Sequence, residues 1–155
     1  TNREGHAAKV YFNCLFGKKW VRGADDCVNV SLDYGYSLLL AAVAKEIVAN
    51  GYITQLGINH CNEFNEFNLA CDLMEPFRPL VDQMILDISP NSFDIEVKSR
   101  LLNFFNQELR YKEASYYMTV VIRLYVANAL RAISEGIAAR MIFPERICES
   151  ELCAL

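Results

Sequence analysis

A chain of 155 residues, 53% apolar and 22% charged, is long enough to bury a core and unlike a disordered tail. Its net charge of -4 and pI near 5.2 argue against a dedicated nucleic-acid-binding module, which carries broad basic surface. Charge is uneven, however: Arg3, Lys9, Lys18, Lys19 and Arg22 face the single acid Glu4 at the start, a basic stretch able to hold phosphates.

The first residue is Thr1 rather than Met, so one α-helical domain of a longer protein is expected over residues 1–155. The six cysteines (Cys14, Cys27, Cys61, Cys71, Cys148, Cys153) include no C-x-x-C pair, and several lie in apolar helical runs, which favours reduced thiols. No signal-peptide pattern is present. The longest apolar run, Ser37 to Ala44, falls short of a membrane span, so a soluble cytoplasmic protein is expected.

Glu4 to Phe16 predict a helix, with Ala7, Ala8, Tyr11, Phe12 and Leu15 at three- and four-residue steps and Gly17 as its stop. A second helix is expected from Asn29 or Ser31 to Asn50. Its centre, Tyr36 to Ala44, is apolar nearly all round and marks it as the buried central helix. Tyr52 to Asn59 read as a turn and link, and Asn62 to Cys71 as loop or a short helical turn. Asp72-x-x-Glu75 fits a capping box opening a helix that runs to about Asp87, with Pro76 and Pro79 tolerable near its start. Further helices are expected over Phe93–Gln107 and Ser115–Met141, joined by a polar link from Arg110 to Glu113, with a weakly specified tail from Pro144. No strand pattern or repeat stands out, so the expected class is all-α.

Glu4, His60 and Glu75 combine two carboxylates with an imidazole. Such donors suit Mg²⁺ or Mn²⁺, with Asp72, one turn before Glu75, orienting a ligand or water. Plainer explanations exist for each: Glu4 favours the helix dipole, His60 is a hydrogen-bonded loop histidine, and Asp72 with Glu75 starts a helix. Zinc on His60, Cys61 and Cys71, helped by His6, is poorly served by adjacent ligands. Tyr34, Tyr36, Tyr116, Tyr117 and Tyr125 lack interleaved basic residues and read as core or interface aromatics rather than a base-stacking platform.

Several longer words run together: Arg3-Glu4-Gly5-His6-Ala7-Ala8-Lys9-Val10-Tyr11-Phe12, Tyr34-Gly35-Tyr36-Ser37-Leu38-Leu39, Glu46-Ile47-Val48-Ala49-Asn50-Gly51-Tyr52, and Phe64 through Asp72-Leu73-Met74-Glu75-Pro76-Phe77-Arg78-Pro79. In order and spacing they resemble the CRISPR-associated Cas1 family of endonucleases and integrases that insert new spacers, most closely the branch of type II systems. The resemblance implies a helical C-terminal catalytic domain, with the family's N-terminal β domain lying upstream. It implies Glu4, His60 and Glu75 as catalytic metal ligands for Mg²⁺ or Mn²⁺, with Asp72 accompanying them. It also implies a homodimer that assembles with the small Cas2 protein around double-stranded DNA, the protospacer and the CRISPR repeat. Cys61 stands where Asp is common after the histidine, and Asp33 begins the stretch Asp33-Tyr34-Gly35-Tyr36 where Asn is familiar.

The expected function is therefore metal-dependent spacer insertion by attack of a 3′-hydroxyl on a phosphodiester. Lys9, Arg22 and Arg78 are the candidate phosphate contacts, chosen by charge and nearness in sequence. Two alternatives stand beside it: a non-catalytic helical DNA-binding or assembly module, and a general nuclease for branched or single-stranded nucleic acid.

Overall fold

Asp26 starts the element around which the others pack. In the computed structural model, which describes residues 3–146, its backbone is extended (φ -139°, ψ 162°) and its carboxylate accepts the Asn29 N–H at 2.8 Å. This is an N-cap, and it begins the second helix at Cys27, earlier than the apolar pattern alone predicts. The helices are α1 (Arg3–Phe16), α2 (Cys27–Ala49), α3 (Asn68–Met74), α4 (Arg78–Ile88), α5 (Ile95–Asn103) and α6 (Met118–Glu135).

Leu32, Leu39, Val43 and Ile47 form a fully buried stripe along α2, against which α3, α4, α5 and α6 pack. The central position expected for this helix is observed, although Ser37 and Ala41 on its far side are exposed. By length and composition alone α2 is apolar enough to cross a membrane, as a buried core helix also is; here its buried face is covered by the chain's own helices. Phe77 meets Tyr125 of α6 edge-on, with ring centroids 5.4 Å apart, in the middle of this core.

The helix expected from Asp72 to Asp87 begins at Asn68 and is broken. A 3-10 turn, Glu75–Phe77, separates α3 from α4, with a proline as the second residue of both the turn and α4. Pro lacks the N–H that a continuous helix needs, so the break follows the Pro-Phe-Arg-Pro spacing.

The larger correction lies further on. Residues read as a polar link and a helix start form a hairpin, β1 (Glu108–Tyr111) and β2 (Ala114–Tyr117), paired antiparallel with Glu108 opposite Tyr117 and Tyr111 opposite Ala114. A short β3 (Glu145–Arg146) adds to β1, giving the order β2-β1-β3. Leu109 and Tyr111 alternate into the core, and that period of two outweighs the helical propensities around it. The helix expected over Ser115–Met141 is consequently shorter, starting after the hairpin and ending at Gly136, whose φ of 68° permits the left-handed cap. The all-α class holds, with this small sheet attached.

Helix α1 ends at Gly17 as expected and has no buried residue. Its attachment includes Phe12 and Phe16, whose rings lie 5.2 and 4.9 Å from Trp20. Cys14, Cys27, Cys61 and Cys71 are free thiols; Cys148 and Cys153 lie outside the described residues.

Candidate active site

Asp72 does not cap a helix. It lies inside α3, and its carboxylate turns outward to collect the loop before it: the N–H groups of Ile58, Asn59 and His60 donate at 2.5, 3.0 and 3.2 Å. His60 Nδ1 stands 2.6 Å from Asp72 Oδ1. Burial opposes ionisation of Asp72, but the hydrogen bond from His60 and then those from the backbone hold the carboxyl below its usual range. An ionised Asp72 requires the proton on Nδ1 when the imidazole is neutral, which leaves Nε2 with a free lone pair.

Two further residues make this wrap possible. A Cβ on Gly57 would stand 2.2 Å from the His60 carbonyl oxygen and 2.9 Å from Asp72 Oδ2, so only glycine admits the loop this close. Buried Asn68 donates its amide to the carbonyls of Gln55 and Asn62 at 3.0 and 2.8 Å, pinning both sides of the His60 loop. Neither was singled out by motif reasoning; a glycine three residues before a solitary histidine was the one available signal.

Glu75 opens the 3-10 turn one turn beyond Asp72, and its carboxylate accepts from Arg78 Nη1 at 2.8 Å rather than capping a backbone. The Arg78 guanidinium lies 4.4 Å from the centre of the Tyr36 ring. Beside this pair a cavity of about 310 Å³ is lined by Ala7, Ala8, Tyr11, Glu75, Arg78 and Asp82, among others. Asp82, only 2% exposed, accepts from Tyr11 Oη at 2.8 Å and from Tyr36 Oη. Burial raises the carboxyl of Asp82, only partly offset by the two tyrosines and by the charges of Arg78 and Arg22. The sequence places Tyr11 only among the apolar steps of the first helix and gives Asp82 no role, although an acid inside the run Leu80-Val81-Asp82-Gln83-Met84-Ile85 is the kind of residue that needs a partner.

The structure brings His60 to Asp72 and Glu75 to Arg78, while Glu4 is exposed in the first turn of α1. Among the described residues no three His, Cys, Asp or Glu side chains stand together as a ready metal cluster, which applies to Glu4, His60 and Glu75 and to the zinc alternative alike. The donor chemistry nevertheless fits a hard divalent ion. A histidine fixed through Nδ1 by a carboxylate, with Nε2 bare, is the usual form of a metal-ligating imidazole, and Glu75 stands a turn away with its side chain half exposed. Of the candidate phosphate contacts, Lys9 is exposed, whereas Arg22 is occupied by Asn29 and Asp33 and Arg78 by Glu75.

Comparison with known proteins fits this arrangement. The family profile described as CRISPR associated protein Cas1 matches residues 1–103. A CRISPR-associated endonuclease Cas1 from Neisseria meningitidis is 31% identical over 149 residues, covering 93% of this chain and 49% of the relative. One from Thermus thermophilus is 32% identical over 130 residues, covering 68% of this chain and 41% of its own. The solved structure of a casposase bound to integration product shares the fold, with a TM-score of 0.69 at 23% identity over 86% of this chain and 49% of that one. The chain thus spans about half the length, or less, of these curated relatives.

Proposed function

The chain belongs to the Cas1 family of CRISPR-associated proteins, and we propose that it is the catalytic part of a metal-dependent endonuclease and integrase that inserts spacer DNA into a CRISPR array. The observation that carries this reading is the half-exposed His60 imidazole, held through Nδ1 at 2.6 Å from Asp72 with the Nε2 lone pair left over. His60, Glu75 and Glu4 would hold Mg²⁺ or Mn²⁺. Such an ion, when bound, neutralises charge on a phosphoryl oxygen and lowers the pKa of an attacking hydroxyl or water.

The chain's own residues supply the positioning. Asp72 stops the imidazole from turning, and the backbone donors it gathers make the loop rigid around it. Arg78 holds the Glu75 carboxylate from one side, and Lys9 on exposed α1 offers a charge to a backbone phosphate. The nucleophile is the 3′-hydroxyl of incoming DNA, directed at a phosphodiester of the repeat; water in its place gives hydrolysis. Double-stranded DNA, a second copy of the protein and the small Cas2 protein are the proposed partners, in the bacterial cytoplasm. Relatives named as endonucleases, and a fold shared with a casposase, support this reading.

A second reading, a helical DNA-binding or assembly module without catalysis, draws on the lack of a ready three-ligand cluster among the described residues. A general nuclease for branched or single-stranded nucleic acid would use the same residues. An integration assay with the intact protein and Cas2 tests the proposal. His60→Ala is expected to lower spacer integration by about 100-fold or more while leaving the fold intact. Integration by that variant at the wild-type rate overturns the mechanism.

A further inference from the structure

Glu4 and Tyr11 lie seven residues apart on α1, and Glu75 and Asp82 lie seven apart on the run from the 3-10 turn into α4. In α1 seven residues are two helical turns, about 10 Å of rise, so Glu4 and Tyr11 share one face. Glu75 in the 3-10 turn and Asp82 in α4 both border one cavity and so share a face by position. The two faces meet across the cavity lined by Ala8 and Tyr11 from α1 and by Glu75 and Asp82 opposite. At one end of this ladder the Tyr11 hydroxyl donates to Asp82 at 2.8 Å. Toward the other end, Glu4 lies one turn before Ala8 on the same face of α1, and Glu75 lines the same cavity as Ala8.

Helix α1 needs such a tie. It buries no residue, and its aromatic contacts, Phe12 and Phe16 with Trp20, lie toward its C-terminal half, away from Glu4. A helix held by ring packing at one end can still rotate or slide, whereas a hydrogen bond to a buried carboxylate fixes rotation and register together. We propose that the Tyr11–Asp82 hydrogen bond is a positioning contact that keeps Glu4 in register with Glu75, so that both carboxylates serve one cation site. The proposal rests on the metal-site reading above and assigns Tyr11 and Asp82 no contact with substrate.

Tyr36 provides the control. Its hydroxyl donates to the other oxygen of the same carboxylate, but it sits on α2 and is the more deeply buried of the two tyrosines. If Asp82 acted only as a core contact, loss of the Tyr36 hydroxyl would do at least as much harm as loss of the Tyr11 hydroxyl. The test is a Mn²⁺ titration of the intact protein followed by electron paramagnetic resonance, with hydrogen exchange of the α1 amides. Tyr11→Phe should weaken Mn²⁺ binding by roughly tenfold and speed exchange along α1. Tyr36→Phe should lower the melting temperature more than Tyr11→Phe does, yet bind Mn²⁺ within about twofold of wild type. Wild-type affinity in Tyr11→Phe, or equal weakening in both variants, overturns the proposal alone. A wild-type protein with no saturable site overturns the metal reading and this proposal with it.

Discussion

Four donors converge on the two oxygens of Asp72, three from the backbone and one from His60. Asp72→Asn replaces one accepting oxygen with an amide that faces N–H groups, so donors are left unpaired in a partly buried site. A loss of about 2 kcal/mol is expected, read as a lower urea midpoint together with faster amide exchange at Ile58 to His60. Asp82 differs in sign. Its burial holds the carboxyl above the ordinary 3.8, so the folded state keeps a proton that the unfolded chain gives up. Stability therefore falls as pH rises through the window from 3.8 upward, and Asp82→Asn removes that term. Thermal unfolding should show wild type gaining on Asp82→Asn as pH is lowered from neutral toward about 4, and a constant difference would contradict the assignment.

Between elements, α2 and α4 approach closely at Gly35. A Cβ on Gly35 would lie 2.6 Å from Val81 Cγ1, and Val81 is fully buried with little room to retreat. Gly35→Ala should cost about 1–3 kcal/mol by forcing the helices apart, measured as a drop in the chemical-denaturation midpoint. How much of each element was legible follows the strength of its local signal. Helix α1, with its regular apolar steps and Gly17, and α2, with its long apolar centre, were readable from pattern. The hairpin was not, because Lys112 and Glu113 at its turn are neither Gly nor Asn and only Leu109 and Tyr111 carry the alternation. Lys112 adopts the left-handed φ of 61° that such a turn requires, a conformation its side chain does not advertise. The Asp72-x-x-Glu75 spacing predicted a cap, but the four donors at Asp72 and Arg78 beside Glu75 drew the two carboxylates elsewhere.

Across the whole molecule, the candidate site is assembled from three parts that are remote in sequence. The Asn68 clamp and Gly57 fold the His60 loop onto α3, the Pro-flanked turn presents Glu75, and α1, which carries Glu4, is tied through Tyr11 to Asp82 beside the cavity that Glu75 lines. Composition and periodicity could locate each acid on an element but not the tertiary contacts that relate them, since 56 residues separate Glu4 from His60. The resemblance to the Cas1 family linked those residues; the structure adds the hydrogen bonds that orient the imidazole and tie α1 down. Direct measurement of cation binding tests the account at its centre. A Mn²⁺ titration of the intact wild-type protein should show one saturable site per chain, and His60→Ala should abolish it while the circular dichroism spectrum and melting curve stay close to wild type. A folded wild-type protein without a saturable site, or a His60→Ala variant that binds Mn²⁺ as tightly as wild type, would contradict it.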